Sequence, residues 1–244
     1  MARRRFFVPE ISGGQSTISG DEAHHLTRVL RVEAGQKYEI SDGQRVFLAE
    51  VAAARRNLVQ FSVLEPIAVE TPLVDFVLCI ALIKFDRLEL LIEKATELGV
   101  SSLVFFSAAR SEKGLDRAAP NRLQRWRRIA REASEQSRRA TLPRIEAPVP
   151  FEHVIKTAGR CRLVLDEAAT GPPLLGALPS DPMRGDRVAL LIGPEGGWTD
   201  GERAAVQETG WTSVSLGDTI LRTETAALAS LSVICAAWLV NASN

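Results

Sequence analysis

The stretch Leu190-Leu-Ile-Gly-Pro-Glu-Gly-Gly-Trp-Thr199 joins a short apolar run to a loop that is rich in glycine. A second stretch, Ser215-Leu-Gly-Asp-Thr-Ile-Leu-Arg-Thr-Glu-Thr-Ala-Ala227, places a glycine turn between an apolar run and a helix start. Both patterns are typical of strands in a parallel α/β sheet, where ligands bind beyond the carboxyl ends of the strands. Because glycine lets the backbone approach a ligand closely, the two loops predict one pocket built largely from main-chain groups. Neither loop matches the glycine-rich phosphate-binding motifs of nucleotide-binding proteins.

The chain after residue 73 alternates apolar runs with segments of helical periodicity. Near-continuous apolar runs are expected of strands that are covered on both faces of a sheet. Thr199-Asp-Gly-Glu202 has the S/T-x-x-E pattern of a capping box and predicts the start of a helix. The predicted fold class is therefore α/β with a parallel sheet. The predicted strands cover residues 74–82, 102–107, 162–166, 188–192 and 214–216, and the predicted helices cover residues 87–98 and 121–137 and begin at Thr199 and Thr223.

The first seventy residues predict a small β-rich unit with one short helix. Turn signals at Asp42-Gly43 and Arg56-Asn57 separate its strand candidates. Pro66 and the segment Ala68-Val-Glu-Thr-Pro72 predict a linker. We therefore expect two domains, over residues 1–70 and residues 73–244. The predicted strands of the first domain are residues 5–8, 37–41, 46–53 and 58–64, and its predicted helix is residues 20–30.

Charge is distributed unevenly along a chain whose formal net charge is zero. Residues 110–144 carry eleven Lys and Arg against four Asp and Glu, whereas residues 145–244 carry seven against twelve. A basic segment on a neutral protein indicates a localised anionic partner such as nucleic acid. A solvated, arginine-rich helix is the alternative, and the sequence leaves it open.

The cysteine and histidine content indicates neither disulfides nor a metal site. The cysteines lie far apart in apolar runs, as reduced core residues of a cytoplasmic protein do; they are Cys79, Cys161 and Cys235. The histidines form no ligand cluster, so no metal is expected; they are His24, His25 and His153. Residues 1–7 lack the apolar core of a signal peptide. Residues 226–240 are expected to be too short and too interrupted by serine for a membrane span, and to form a helix that is buried on most sides.

The residues at three predicted strand ends indicate what the pocket binds. These ends are Leu165-Asp-Glu167, Ile192-Gly-Pro-Glu-Gly196, and Leu216-Gly217 with Ile220-Leu-Arg222. Main-chain groups can read the edge of a planar base, apolar side chains can enclose its faces, and Glu167 or Glu195 can bind ribose hydroxyls or a cation. Because acids outnumber bases in these loops, we predict a nucleoside cofactor without phosphates, namely S-adenosylmethionine (SAM). The alternative, that Gly193 and Gly197 merely form a tight turn, stays open on spacing alone.

The segment Arg222-Thr-Glu-Thr225 lies at a predicted helix start. Thr223 is predicted as the N-cap, and Glu224 is favourable in the first turn of a helix. A cation at a helix N-terminus opposes the helix dipole, so Arg222 needs a further role. Binding a phosphate or stabilising an anionic base would supply that role.

Six motifs follow one another along nearly the whole chain. They are Arg4-Arg-Phe-Phe-Val8, His25-Leu-Thr-Arg-Val-Leu-Arg31, Glu93-Lys-Ala-Thr-Glu-Leu-Gly-Val100, Glu132-Ala-Ser-Glu-Gln-Ser137, Gly193-Pro-Glu-Gly-Gly197 and Leu221-Arg-Thr-Glu-Thr-Ala226. Any one of them would be a weak signal, but in this order they closely resemble the 16S rRNA uracil-N3 methyltransferase family. That family belongs to the SPOUT superfamily of knotted, SAM-dependent methyltransferases.

The resemblance implies an N-terminal PUA-like RNA-binding β-barrel at residues 1–70 and a C-terminal SPOUT domain at residues 73–244. It implies a deep trefoil knot, in which the segment around residues 216–225 threads through the loop around residues 193–198. It also implies a homodimer. The implied reaction is methylation of N3 of a specific uridine in the decoding region of 16S rRNA, on the assembled 30S particle.

The resemblance and the chemistry of uracil together assign the site residues. Uracil N3 is a poor nucleophile until its proton leaves, so the enzyme needs a base, or a cation that stabilises the uracilate. Arg222 is expected to stabilise this charge, and Glu195 or Glu224 to take the proton. The expected SAM-binding residues are Leu165, Glu167, Leu191, Ile192, Gly193, Pro194, Glu195, Gly196, Leu216, Gly217, Ile220, Leu221, Arg222, Thr225 and Ala226. The expected RNA contacts are Arg4, Arg5, Arg28, Arg31, Lys84, Arg87, Arg110, Arg138 and Arg139.

Phe85, Arg138 and the pair Asp218-Thr219 depart from the family pattern. Asp218-Thr219 stands where Pro-Arg is frequent, which removes a positive charge near the pocket and puts a local RNA contact in doubt. Two alternatives stay open: a SPOUT methyltransferase that acts on another RNA position, and a catalytically silent RNA-binding factor for ribosome assembly. The silent factor should have lost the loop glycines or Arg222, and this chain retains both.

Overall fold

The computed structural model of the chain describes residues 4–167 and 171–242. Its contacts divide the chain into two compact units. The small unit comprises residues 1–70 and 134–142, and the large unit comprises residues 71–133 and 143–244. The small unit thus includes a segment that is distant in sequence from its other residues.

The small unit is built on a five-stranded sheet in the order β1-β3-β4-β5-β2. Its sheet is antiparallel except that β1 pairs with β3 in parallel. Alternating residues of these strands point into an apolar core that includes Phe6, Ile18, Ile40 and Phe61. The elements are β1 (Arg5–Phe7), β2 (Gln15–Ser19), α1 (Gly20–Arg28), β3 (Lys37–Ser41), β4 (Val46–Arg55) and β5 (Leu58–Ile67).

Two features of the small unit differ from the sequence prediction. β2 was not predicted, because its alternating polar residues lack the apolar content of a typical strand. β5 continues to Ile67, so the prediction of a linker at Pro66 is wrong: Pro66 lies opposite Phe47 in the β4–β5 ladder. A proline is tolerated near a strand end because the missing N–H costs little there.

A buried carboxylate joins residues 134–142 to the rest of the small unit. Glu39 accepts hydrogen bonds from Arg5 at 2.8 Å and from Arg138 at 2.6 Å. Arg5 also donates to the carbonyl oxygen of Arg138 at 2.7 Å, and the Ser41 hydroxyl donates to that of Ala140 at 2.7 Å. A buried charge needs such partners, so these interactions hold the distant segment on β1 and β3.

The large unit contains a six-stranded sheet in the order β11-β9-β10-β6-β7-β8. Every neighbouring pair is parallel, which confirms the predicted fold class. The strands are β6 (Val74–Ala81), β7 (Ser102–Phe106), β8 (Arg144–Ile145), β9 (Cys161–Leu165), β10 (Asp186–Ile192) and β11 (Thr212–Val214). The predicted strand at residues 214–216 therefore lies two residues too late, and the two-residue β8 was too short to predict.

Helices cover both faces of this sheet. Leu78, Ile80, Leu190 and Ile192 point into a core that contains residues of α2, α4 and α7. Their neighbours Cys79 and Leu191 point to the other face, into a core with residues of α5 and α6. The helices are α2 (Phe85–Glu97), α3 (Leu115–Ala118), α4 (Leu123–Gln136), α5 (Phe151–Val154), α6 (Asp200–Glu208) and α7 (Thr223–Ala242).

Helix α7 is the one helix within residues 4–167 and 171–242 that is long and apolar enough to cross a membrane. Its window Thr223–Val240 has a mean hydropathy of 1.6, so the expectation that this stretch is too short is wrong. Only 39% of that window is buried, so the helix is less enclosed than predicted. Ala227, Leu231, Ile234 and Trp238 of this helix lie in the apolar core of the large unit.

Candidate functional site

A cavity of about 320 Å³ lies in the large unit, beyond the carboxyl ends of β9, β10 and β11. Three loops line it, at residues 165–167, 193–198 and 215–222, and the first residues of α7 complete it. The parallel register brings these loops together, because Leu165 pairs with both Ile192 and Val214. We refer to residues 193–198 as the glycine loop.

The glycine loop is packed too closely for side chains at two of its glycines. A Cβ atom on Gly193 would lie 2.8 Å from Cε2 of the Trp198 indole. Gly197 has a φ of +68°, and a Cβ atom there would lie 2.9 Å from Oε1 of Glu167. These glycines therefore allow the loop backbone to pack closely against Trp198 and Glu167. They do more than form a tight turn, which was the alternative that the sequence left open.

Trp198 fixes the glycine loop against the neighbouring strand end. Its indole N–H donates to the carbonyl oxygen of Leu165 at 2.8 Å. Its ring stacks on Phe106 with an interplanar angle of 6°. Because Trp198 is held on two sides, its ring cannot easily yield to a new atom at Gly193.

The third loop joins the glycine loop through the start of α7. The carbonyl oxygen of Arg222 accepts from the amide of Ala226 at 2.8 Å, which places Arg222 in the N-cap position. The Thr223 hydroxyl instead donates to the carbonyl oxygen of Gly193 at 3.3 Å. The prediction of Thr223 as the N-cap is therefore wrong, because its hydroxyl serves a contact between loops.

Acids outnumber bases in the lining of the cavity, as the sequence predicts. The charged lining residues are Asp166, Glu167, Glu195, Asp218 and Arg222. Two of these acids have arginine partners outside the lining: Asp166 accepts from Arg203 at 2.7 Å, and Glu195 forms an ion pair with Arg87. The cavity keeps a negative balance, which favours a cationic ligand over a phosphate.

The three candidate catalytic residues occupy different positions. Arg222 lines the cavity and is exposed, and Glu195 lines it while paired with Arg87. Glu224 is buried and is not part of the lining. Its Oε1 lies 4.0 Å from Nε of Arg87, and its Oε2 has no hydrogen-bond partner among the residues that the structure describes.

The cavity brings together most of the residues expected to bind SAM. Those in its lining are Leu165, Glu167, Ile192, Gly193, Pro194, Glu195, Leu216, Gly217, Ile220, Leu221, Arg222 and Ala226. Leu191 is buried in the core, and Gly196 and Thr225 also lie outside the lining. Several lining residues were not predicted from the sequence. Two of them, Asp166 and Trp198, lie inside the strand-end stretches Leu165-Asp-Glu167 and Leu190 to Thr199, and that position could have identified them.

The residues expected to contact RNA differ in their surroundings. Arg4, Arg28, Arg31 and Lys84 are exposed. Others engage in contacts within a unit: Arg5 and Arg138 with Glu39, Arg87 with Glu195, and Arg110 with the glycine loop. Arg139 is partly buried, and burial lowers its pKa to about 10. Their role in binding RNA stays a prediction.

Among the described residues, no group of three or more His, Cys, Asp or Glu side chains could hold a metal ion. The three cysteines are free, and burial raises the pKa of the Cys79 thiol to about 11. A thiol with so high a pKa is protonated at neutral pH and is unreactive.

Family models match both parts of the chain. Residues 69–235 match the RNA methyltransferase domain, and residues 18–64 match the RNA methyltransferase PUA domain. The parallel sheet with its loop pocket and these two matches define the class of the protein as an RNA methyltransferase.

Similarity to named proteins identifies the family to which the chain belongs within this class. The chain is 36% identical over 239 residues to ribosomal RNA small subunit methyltransferase E of Synechocystis, covering 96% of this chain and 77% of that protein. It is 33% identical over 227 residues to the Bacillus subtilis protein of the same name, covering 89% of this chain and 88% of that one. A crystal structure of the Neisseria gonorrhoeae protein of that name, bound to S-adenosyl methionine, has a TM-score of 0.84 and 28% identity, covering 97% of this chain and 98% of that chain. The chain therefore belongs to the ribosomal RNA small subunit methyltransferase E family, which confirms the resemblance inferred from its motifs.

Replacing Gly193 by alanine should impair the pocket without unfolding the protein. The new Cβ atom would press on the Trp198 ring, which Leu165 and Phe106 hold in place. We expect Gly193→Ala to weaken SAM binding by about tenfold or more, equivalent to about 1.4 kcal/mol, in isothermal titration calorimetry. Gly201→Ala is the matched control, because a Cβ atom there meets nothing within 4 Å. Equal affinities for the two variants would contradict the proposed packing role.

Proposed function

We propose that this protein uses SAM to methylate N3 of a specific uridine in the decoding region of 16S rRNA. The single observation that carries the proposal is the cavity at the carboxyl ends of β9, β10 and β11, with Arg222 in its lining. Family membership supports the methyl donor and the class of substrate, since the relatives are named small-subunit rRNA methyltransferases. We further propose that the enzyme acts in the cytoplasm on the assembled 30S particle.

The residues of the cavity fit SAM, whose sulfonium supplies an electrophilic methyl group when it is bound. Main-chain groups of the glycine loop and of residues 216–221 would read the edge of the adenine base. The negative balance of the lining favours the positive charge of the sulfonium. Glu167 would bind ribose hydroxyls, and Ile192, Leu216 and Leu221 would enclose the apolar faces of the base.

Arg222 is proposed to stabilise the negative charge that develops on the uracil oxygens as the N3 proton leaves. It is exposed in the cavity lining, so an incoming base can reach its guanidinium. As the N-cap of α7 it is held next to a helix N-terminus, whose partial positive charge would act on the same anion. In a duplex the N3 edge takes part in base pairing, so the uridine must be unpaired or flipped.

Glu195 and Glu224 are the two proposed acceptors for the N3 proton. Glu195 lines the cavity, and it can therefore meet the base without a change in α7. Glu224 is buried beside Arg87, with one carboxylate oxygen that forms no hydrogen bond among the described residues. The geometry favours Glu195 for direct contact, and Glu224 would need the first turn of α7 to move.

RNA docking is proposed to use a PUA-like RNA-binding domain at residues 1–70 together with the SPOUT domain at residues 73–244. The match to the RNA methyltransferase PUA domain supports the first of these assignments. Arg4, Arg28 and Arg31 are exposed cations on the small unit, and Lys84 is one on the large unit. Contacts between such cations and phosphates release counterions, so RNA binding should weaken steeply with added salt.

The reaction can be tested with small ribosomal subunits from a strain that lacks the gene. After incubation with the protein and SAM, mass spectrometry of the nucleosides should show 3-methyluridine. Detection of a different methylated nucleoside would be consistent with an RNA methyltransferase, but it would show that the enzyme methylates another atom of the RNA. Absence of any new methylation, with SAM binding confirmed, would support the alternative of a catalytically silent assembly factor.

Replacing Arg222 by alanine should separate catalysis from cofactor binding. Removal of one preorganised group that stabilises an anion costs about 100-fold or more in kcat. We expect this loss for Arg222→Ala, with a SAM dissociation constant within about twofold of the wild type. Arg187→Ala is the control, because Arg187 is an exposed cation at the start of β10 and outside the cavity lining. Weakened SAM binding with an unchanged kcat would contradict the catalytic role.

A homodimer is proposed from an exposed apolar surface at the end of α7. Val240 is 65% exposed, and Leu239, Leu175 and Met183 are also largely exposed. Trp238 donates to the carbonyl oxygen of Met183 at 3.1 Å, which places that loop beside the helix end. Exposed apolar clusters of this kind are typical of protein interfaces.

Light scattering tests this proposal. The wild type should have the mass of a dimer, and Val240→Asp should shift the protein toward the mass of a monomer, because a buried unpaired charge destabilises an interface. Val29→Asp, at an equally exposed valine of the small unit, should leave the dimer unchanged. A wild type that has the monomer mass at every concentration would refute the homodimer.

A further inference from the structure

A short turn that follows β7 packs against the glycine loop. In this turn the amide of Ser111 donates to the carbonyl oxygen of Ala108 at 3.0 Å, and the amide of Ala108 donates to the Ser111 hydroxyl at 3.1 Å. These two hydrogen bonds close residues 108–111 into a compact unit at the end of a core strand. The turn is therefore a fixed support and not a loose loop.

Arg110 extends from this turn to two carbonyl groups of the glycine loop. Its Nη1 donates to the carbonyl oxygen of Gly196 at 3.0 Å and to that of Trp198 at 3.3 Å. The backbone of Gly196 also lies close to the side chain of Arg110, because a Cβ atom on Gly196 would lie 3.0 Å from Cβ of Arg110. Two hydrogen bonds from a charged donor stabilise a loop more than neutral ones do.

A second contact fixes the exit of the glycine loop to the same turn. The amide of Ala109 donates to Oε1 of Glu202 at 2.8 Å. The other oxygen of Glu202 accepts from the amide of Thr199 at 2.9 Å, as part of the capping box of α6. One buried carboxylate thus links the turn to the residue that directly follows the glycine loop.

Gly196, whose carbonyl oxygen Arg110 contacts, lies between two residues that line the cavity. Glu195 and Gly197 line the cavity, whereas Gly196 between them does not. Arg110 is also absent from the lining, so it holds the loop from outside the cavity. Rotation of the peptide groups on either side of Gly196 would change the direction of the main-chain groups that face the ligand.

We propose that Arg110 is a positioning residue for the cofactor pocket, which holds the Gly196 and Trp198 carbonyls so that the glycine loop keeps its binding geometry. This inference rests on the proposed use of SAM by the enzyme. It assigns to Arg110 a function that does not require RNA, whereas its positive charge predicted an RNA contact from the sequence. A positioning role predicts a loss of cofactor affinity in the protein alone.

The test compares Arg110→Ala and Arg110→Lys with Arg117→Ala. Arg117 is an exposed cation of α3 in the same basic segment and lies outside the cavity lining, so it controls for a change in net charge. SAM dissociation constants are measured by calorimetry without RNA, and RNA dissociation constants are measured separately at several salt concentrations. Circular dichroism and melting temperatures show whether each variant is folded.

We expect Arg110→Ala to weaken SAM binding by about tenfold, which corresponds to the loss of two charge-assisted hydrogen bonds. Arg110→Lys keeps the charge but replaces the planar guanidinium by an ammonium with a different reach, so its affinity should lie between those of the alanine variant and the wild type. Arg117→Ala should bind SAM as the wild type does. In turnover assays the KM for SAM should rise in Arg110→Ala while the KM for RNA stays unchanged.

Any one of four results would overturn the inference. Unchanged SAM affinity in Arg110→Ala together with weaker RNA binding would make Arg110 an RNA contact only. An equal loss of SAM affinity in Arg117→Ala would show a general effect of charge. Absence of SAM binding by the wild type would refute the proposed function and this inference with it, whereas normal binding by the wild type and by both Arg110 variants would refute the inference alone.

Discussion

The parallel pairing of β9, β10 and β11 is the constraint on which the site depends. Leu165 lies opposite both Ile192 and Val214, so three strands end at one edge of the sheet. The loops that follow these strands therefore lie close together, and their side chains must fit into a small space. Glycine at residue 193 leaves room for the Trp198 ring, and the indole N–H satisfies the carbonyl oxygen of Leu165. The small size of Gly193 and the hydrogen bond of Trp198 therefore both allow the loops to pack closely at this edge of the sheet.

Arginines from outside the cavity shape its charge. Arg203 pairs with Asp166, and Arg87 pairs with Glu195, so neither acid has an uncompensated charge. The remaining charged groups of the lining are Glu167, Asp218 and Arg222. A carboxylate with a fixed partner costs less to hold near an apolar pocket than an isolated one. The arrangement leaves a modest negative balance, which favours a cationic cofactor, and one exposed cation in the lining, Arg222.

Local sequence patterns predicted the elements that depend on neighbouring residues only. Thr199 and Glu202 form the predicted capping box, because its hydrogen bonds lie within one helical turn. The N-cap of α7 was mispredicted, since the Thr223 hydroxyl donates to Gly193, which is distant in sequence. Pro66 lies in β5 and not in a linker, because the pairing of β4 with β5 outweighs the local preference of proline. Errors arise where a contact distant in sequence competes with a local one.

The sequence by itself determined the parallel α/β class, the glycine-rich strand ends and the family, because periodicity and ordered motifs are properties of the chain. It also indicated most of the residues that line the cavity, since a strand end in a parallel sheet is a local signal. Only the tertiary structure decided what the arginines do. Arg5 and Arg138 hold Glu39, and Arg87 and Arg110 hold the glycine loop. The sequence shows that a residue is charged, but its partner depends on which distant segments the fold brings within hydrogen-bonding distance.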